Sequence, residues 1–368
     1  MKVLVAMSGG VDSSVAAALM IEAGHEVIGV TLKQWEDADG SLPTAGCCTV
    51  GDAEDARRVS AMLDMPYYVL DYVDEFRKAV VEPFGASYLA GATPNPCVEC
   101  NRTVRFKALL ERTSDLGCDI LVTGHHARVR HDAAGHRLLK ATDAGKDQSY
   151  VLYMLGQEEL SRIRFPVGEM TKAAVRDHAA RLGLRNAAKP DSQDLCFVGR
   201  GNYRDFLATE FPESAAPGDI VDVEGTVVGH HEGTTGFTIG QRRGLGVSVG
   251  EPRYVVEIQA HEARIVIGER RLLLVEGCEL AGVSFVAGRP PTSGDVEVKV
   301  RYRSQAVPAT LEDMGTGRAR VLFEEPAAGV APGQAAVLYR GVEVLGGGTI
   351  VAATRRDEMR AGAGSVQT

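Results

Sequence analysis

No stretch of this chain approaches the roughly 20 consecutive apolar residues of a membrane-spanning helix. Nor does a basic stretch and apolar core precede the first β-like run, so no secretory signal is expected and a cytoplasmic location follows. Cysteine is scarce. Seven among 368 residues is an odd count that does not suit a secreted disulfide framework and fits reduced thiols. Positive charge is in deficit as well: 40 Lys and Arg stand against 49 Asp and Glu, a formal net charge of −9. That balance excludes a blanket nucleic-acid binder, so a polyanionic partner would have to meet local basic patches. Internal repeats and low-complexity tracts are also lacking. What remains, 45% hydrophobic and 24% charged, is ordinary for a soluble globular protein with room for two or three domains.

The most informative stretch is residues 1–19, MKVLVAMSGGVDSSVAAAL. Residues 3–6 read as a buried strand, Ser8, Gly9 and Gly10 as a tight turn, and 11–19 as a helix. A strand, a glycine turn and a helix start direct unpaired backbone N–H groups and the positive end of a helix dipole at one point, which attracts phosphate. Ser8, Ser13 and Ser14 add hydroxyl donors. No Walker A lysine follows, and Asp12 beside a phosphate implies a magnesium ion between them. The plain alternative is a helix capped by Ser8 or Asp12 after a glycine turn. SGGVDSS resembles the PP-loop signature of ATP pyrophosphatases. That resemblance implies cleavage of ATP between its α- and β-phosphates and adenylation of a substrate oxygen. Residues Ala6, Met7, Ser8, Gly9, Gly10, Val11, Asp12 and Ser13 then form the nucleotide loop.

Further strands are expected at 25–32, 67–70 and 120–123, with helices at 52–63, 104–113 and 171–182, the last stopped by Gly183. Alternating strands and helices imply a parallel sheet covered on both faces, with ligands beyond the C-terminal strand ends. Leu32 and Gly124, at two of those ends, flank the nucleotide. Residues 1–198 therefore read as one α/β domain. Beyond it lie a short helix at 201–211 and β-like runs at 219–223, 253–258 and 264–268, in a small linking domain over 199–277. Residues 295–303, DVEVKVRYR, alternate strictly, placing Val296, Val298, Val300 and Tyr302 on one face. Runs at 318–323, 335–339 and 341–352 continue the pattern, so 278–353 reads as an antiparallel barrel and 354–368 as a frayed tail. The whole is an α/β parallel-sheet PP-loop domain of the adenine-nucleotide α-hydrolase-like kind, a small mixed domain and a C-terminal β-barrel.

Two cysteines stand out. In TPNPCVECNRTVRFK, two prolines hold the chain extended before Cys97, and a basic helix follows Asn101. Cys100 near that helix start, with Arg102, Arg105 and Lys107 close by, has the surroundings that lower a thiol pKa. Cys196 lies in DSQDLCFVGRGNY, at the junction of the first two domains. A zinc half-site is the alternative for the C-x-x-C, but no second half completes a tetrahedral set. Inert buried thiols describe Cys118 and Cys278 better, and Cys47 and Cys48 stay unassigned.

Taken with these, TGHHARV, KDQSYVLY, KPDSQDLCFVG and HEGTTGFTIGQRRGLGV make nearly the whole chain similar to the tRNA-specific 2-thiouridylases. These PP-loop enzymes replace the 2-oxygen of the wobble uridine, position 34, with sulfur. The resemblance implies ATP and Mg2+, Cys100 as nucleophile, and Cys196 as acceptor of persulfide sulfur from a cysteine desulfurase or a relay protein. It places Asn95, Pro96 and Cys97 in the loop around the target base. It maps tRNA contacts onto His125, Lys146, Asp147, Gln148, Tyr302, Arg303 and Gln334. Taken singly, those positions also read as a packed histidine, a solvated loop, a strand-end pair and a turn glutamine. Arg128, Arg130, Arg242, Arg243, Arg301 and Arg303 are candidates for the tRNA backbone. Many family members carry aspartate where this chain has Cys97. Cys97, Cys100 and Cys196 are also enough to hold three irons of a 4Fe–4S cluster. The rivals are an amide-forming PP-loop synthetase, which needs no reactive cysteine, and a non-catalytic metal- or RNA-binding module.

Overall fold

The structure, a computed structural model, describes residues 1–36, 49–191, 195–198, 202–247 and 250–355. Cys47 and Cys48, residues 192–194 and 199–201 of the Cys196 loop, and 356–368 of the expected tail lie outside the described residues.

Four apolar segments form parallel strands β1 (Lys2–Ala6), β2 (Glu26–Lys33), β3 (Tyr67–Asp71) and β4 (Ile120–Thr123). An antiparallel hairpin follows, β5 (Ala127–Asp132) and β6 (Gly135–Lys140), and then β7 (Ile163–Arg164), two residues long. The parallel sheet runs β3-β2-β1-β4-β7. β1 is central and its Val3, Leu4 and Val5 are fully buried, which is why it reads as a continuous apolar run. Its odd residues Val3 and Val5 pack with Val15, Ala56 and Val175 of the helices Val11–Glu22, Val50–Met62 and Lys172–Arg181. Leu4 faces the other way, into a larger core with Phe76, Phe84, Val104 and Leu109. The strand order reverses at β1, so the loops after β1 and β4 diverge and open a crevice at the strand ends.

The helix expected over 104–113 begins earlier. Asn95 is the N-cap, its side chain accepting from the Val98 N–H, and Pro96 occupies the first helical position, where its missing N–H costs nothing. Cys97 and Cys100 therefore lie within the first turns of the helix, not in an extended loop before it. From Cys100 to Ala108 the turn widens to i→i+5 bonding before Leu109–Asp115 closes as α-helix. Such widened turns are rare and concentrate at functional sites.

After the helix Tyr203–Glu210 comes a second sheet of β8 (Gly218–Val221), β9 (Val227–His231), β10 (Tyr254–Gln259) and β11 (Arg264–Gly268), in the order β10-β11-β8-β9. Six strands complete the chain: β12 (Val275–Phe285), β13 (Asp295–Lys299), β14 (Val307–Gly315), β15 (Arg318–Ala327), β16 (Ala335–Arg340) and β17 (Glu343–Thr354). They pair in the order β12-β15-β14-β13-β16-β17, and β17 pairs back with β12, closing an antiparallel barrel. Val296, Val298 and Val300 point into it as the alternation requires. Tyr302 does not: β13 ends at Lys299, the chain turns, and Tyr302 is left 41% exposed. The hairpin β5–β6 extends the barrel sheet, Leu139 pairing with Glu343 and Leu138 with Val344, so a loop of the first sheet is welded onto the last. No helix among the described residues is long and apolar enough to cross a membrane.

Candidate active site

The glycine turn after β1 is shaped by close packing. Gly9 takes φ +70° and a Cβ there would collide with the Asp52 carbonyl oxygen, so only glycine serves. The helix Val11–Glu22 starts from Gly10 with no side-chain cap, against the capping role considered for Ser8 or Asp12. Ser13 Oγ instead donates to the Gly10 carbonyl and accepts from the Ser8 N–H, at 3.1 and 3.2 Å. Ser8 is exposed at the mouth of the turn, while Met7 and Val11 are buried beneath it and Ala6 is half-buried. The Met7 carbonyl accepts from Thr31 Oγ1 at 2.6 Å. Gly124 belongs to this site by contact: a Cβ there would come within 2.5 Å of the Ser13 nitrogen. Leu32 is buried at the end of β2.

Asp12 gathers the charged groups of the crevice. Lys172 Nζ donates to both its oxygens at 2.8 and 2.7 Å, and His126 Nε2 lies 3.1 Å from Oδ1. Burial acts to raise the Asp12 carboxyl, but the hydrogen bonds from His126 and Lys172 and the charge of Lys172 outweigh it and hold the group below its ordinary value. Lys172 also meets Asp191 Oδ1 at 2.7 Å, and Lys146 meets Asp191 Oδ2 at 2.9 Å. Burial opposes ionisation of Asp191 too, yet those two lysines bring its carboxyl down to about 2. Behind the turn, Asn186 Nδ2 donates to the Gly9 carbonyl and to Ser14 Oγ, and Lys189 Nζ bridges Asp52 and Asp55 at 2.7 Å each. Nothing in the sequence alone marks Lys172, Asn186 or Asp191 as site residues. Lys172 opens what reads as a plain amphipathic helix, and its burial in the crevice is a fact of tertiary structure.

The cysteine segments converge on the end of β2. Gln34, buried one residue past that strand, donates from Nε2 to Cys100 Sγ at 3.3 Å. Its neighbour Trp35 packs on Phe197, which follows Cys196, with ring centroids 6.4 Å apart. Phe197 is held further by Phe84 at 5.2 Å and Phe206 at 5.0 Å. Emptying that position to alanine would cost about 3–5 kcal/mol, so the aromatic cluster anchors the Cys196 loop. Cys100 is buried, Cys196 half-buried and Cys97 exposed. Among the described residues no three His, Cys, Asp or Glu side chains are placed to hold a metal ion. Among the described residues the three cysteines are therefore not gathered into a ligand set for a 4Fe–4S cluster.

The positions mapped as tRNA contacts divide. Tyr302 and Arg303 are exposed, and the Tyr302 hydroxyl donates to the Asp147 carbonyl at 3.2 Å, bringing two of them together. Asp147 itself caps its turn, accepting from the Ala141 and Ser149 N–H groups. Gln148 Oε1 accepts from the His126 N–H at 2.8 Å. His125 lies in the core between Phe106 and Phe165, with Nδ1 2.7 Å from Thr123 Oγ1, and burial pushes its ring down to about 3. The packed-histidine reading describes it. Gln334 Nε2 donates to the Thr93 carbonyl at 2.8 Å, on the segment leading to Cys97. Among the arginines, Arg242, Arg243 and Arg303 are exposed. Arg301 is not available to a backbone phosphate: its guanidinium donates to the Gly329 and Ile239 carbonyls at 2.7 and 2.8 Å, tying the TIGQ segment to the barrel.

Comparisons with known proteins accord with this arrangement. Residues 1–200 match the family model described as a tRNA methyl transferase HUP domain, 204–269 a tRNA methyl transferase PRC-barrel domain, and 275–350 an aminomethyltransferase beta-barrel domain. The tRNA-specific 2-thiouridylase MnmA of Roseiflexus castenholzii is 47% identical, covering 95% of this chain and 99% of that protein. Its namesakes in Chloroflexus aurantiacus and Geobacter metallireducens are 49% and 46% identical, covering 95% and 96% of this chain and 98% and 97% of theirs. A solved 4-thiouridine synthetase–RNA complex with bound ATP aligns at a TM-score of 0.34 and 16% identity, over 58% of this chain and 50% of that one, too slight a likeness to bear on the assignment. The full-length relatives decide it: this chain belongs to the tRNA-specific 2-thiouridylase family.

Proposed function

We propose that the protein is a sulfurtransferase that uses ATP to convert the wobble uridine of tRNA to 2-thiouridine. The observation that carries the reading is the meeting of two chemistries at the ends of β1 and β2: a glycine turn with converging charge at Asp12, and a buried thiol at Cys100 with Cys196 anchored nearby.

A uracil C2 oxygen is a poor leaving group and has to be activated before sulfur displaces it. The uncapped helix start and the turn N–H groups would receive the triphosphate, and Lys172 would exchange Asp12 for phosphate oxygens. Asp12 fits a magnesium ion as a single carboxylate ligand, with phosphate oxygens and waters filling the remaining positions. When bound, the ion would withdraw charge from the phosphates. The base oxygen attacks the α-phosphate, pyrophosphate leaves, and the base is adenylated. The wobble base must leave the anticodon stack to reach the site, which is cheaper in a loop than in a duplex.

Sulfur then arrives as a persulfide on Cys196, delivered by a protein donor of the desulfurase or sulfur-relay class. Cys100 thiolate attacks the Cys196 sulfur, the S–S electron pair leaves with the terminal sulfur, and that hydrosulfide displaces AMP at C2. The products are thiouridine, AMP and a Cys100–Cys196 disulfide, which an external dithiol must reduce. Purified protein given ATP, magnesium, tRNA and a persulfide source should release pyrophosphate only with tRNA present and yield 2-thiouridine by nucleoside mass spectrometry. Pyrophosphate release driven by a carboxylate substrate without tRNA would point to an amide-forming synthetase instead.

A further inference from the structure

The segment carrying Cys97 and Cys100 is fastened at both ends, to the barrel ahead of the cysteines and to the 151–153 segment behind them. Ahead of the cysteines, the Thr93 N–H donates to the Pro332 carbonyl at 2.8 Å, and Gln334 Nε2 donates to the Thr93 and Pro94 carbonyls at 2.8 and 3.4 Å. Between these two barrel residues sits Gly333, at φ +89°, against which the Thr93 backbone packs so closely that a Cβ would lie 2.9 Å from its carbonyl. The turn is fixed in its own barrel: Gly333 N–H donates to Ile350, and Ile350 N–H donates to Gln334. Behind the cysteines, Asn101 Nδ2 donates to the Val151 carbonyl at 2.9 Å and Arg102 to the Tyr153 hydroxyl at 3.1 Å. That second anchor is itself part of the barrel's seat, since the buried Tyr150 hydroxyl donates to the Ala335 carbonyl at 2.7 Å.

We infer that the barrel turn Pro332, Gly333 and Gln334 positions the cysteine-bearing segment in the absence of RNA, with Gln334 as the side-chain clamp. A short segment with prolines at 94 and 96 has few N–H groups with which to hold itself, so its place must be set from outside. The barrel supplies a donor, an acceptor and a close-packed glycine at that point. The inference rests on the proposed function for the meaning of the segment, not for the existence of the clamp. It gives Gln334 a role distinct from touching tRNA.

Hydrogen exchange by mass spectrometry on the full-length, RNA-free protein tests it. In Gln334→Leu, amides of the peptide spanning 91–100 should exchange about tenfold faster, the size expected when the strong bond to Thr93 is lost together with the weak one to Pro94. Peptides over 11–22 and the barrel strands should not change. Thiolation kcat should fall while KM for tRNA stays within about twofold, the split expected of a positioning residue. Gly333→Ala should loosen the same peptide, and Gln334→Leu carries the test alone if that variant does not fold. Unchanged exchange over 91–100 with a raised KM would overturn the clamp in favour of an RNA contact. Faster exchange across the whole barrel would overturn it as general destabilisation. If the exchange result holds but Cys100→Ser still thiolates, the clamp stands and the role given to Cys100 falls.

Discussion

Lys172 closes on Asp12 with both carboxylate oxygens inside 2.8 Å, across 160 residues of chain. A buried lysine held this way would be a cation stored next to the turn proposed to receive phosphate.

The first prediction tests both partners. Asp12→Ala should abolish magnesium-dependent, tRNA-stimulated pyrophosphate release in protein that still folds, with some loss of melting temperature because Lys172 and His126 lose a carboxylate partner. Lys172→Met should lower the same rate by about 10- to 100-fold, the worth of a hydrogen bond to a charged group. Wild-type rates in either variant would move the nucleotide site elsewhere.

Acid sensitivity should come in two stages. His125 has its pKa lowered from 6.5 to about 3 by burial, so the unfolded chain takes up a proton in this window that the folded chain refuses. Stability conferred by the neutral ring is therefore full above about pH 6.5 and drains as pH falls toward 3. Asp191, lowered from 3.8 to about 2, adds stability above pH 3.8 that is lost as pH falls through 2. Urea unfolding between pH 7 and 4 should show His125→Gln with a flatter pH slope than the parent. An identical slope in both would remove His125 as the cause.

Much of this was legible because it is local. The strand, glycine turn and helix of residues 1–19 announce themselves by spacing alone, and Val296, Val298 and Val300 name the barrel interior by alternation. What escaped depends on distant partners. No strand is expected over the hairpin β5–β6, because the strand it joins lies some 200 residues on, at Glu343 and Val344. Arg301 looks like any surface arginine until Gly329 and Ile239 present their carbonyls to it. Pro96 is ambiguous for a different reason: an Asn–Pro pair opens a helix as readily as it holds a loop extended, and only the Val98 N–H bonded to Asn95 separates the two.

Binding of tRNA should weaken steeply with salt despite the net charge of −9, because phosphate contacts release counterions. Arg243→Ala and Arg303→Ala, both at exposed positions, should each reduce the log–log salt slope by about 1. Arg301→Ala should behave differently, lowering the melting temperature, since it strips a half-buried tie between the TIGQ segment and the barrel. Affinity indifferent to salt would mean that the exposed arginines form no continuous track.

The cysteines separate by step. If Cys196 carries the persulfide and Cys100 attacks it, Cys196→Ser should still adenylate tRNA and release pyrophosphate but transfer no sulfur. Cys100→Ser should accept the persulfide on Cys196 and stall there, detectable as a mass increase of one sulfur atom on the Cys196 peptide. Turnover without reductant should leave the two residues joined in one disulfide-linked peptide pair, which requires the anchored Cys196 loop and the helix start to approach within bonding distance. Cys97 is the control. It is exposed on the first turn, three residues before Cys100, and takes no part in this scheme, so Cys97→Ser should thiolate at close to the parent rate. Anaerobic purification with iron and sulfide analysis completes the comparison. Thiolation that depends on iron and is lost equally in all three serine variants would replace persulfide transfer with cluster chemistry, despite the absence of a ligand set among the described residues. Iron-free protein that thiolates with Cys97→Ser intact would leave the Cys100–Cys196 pair as the sulfur path.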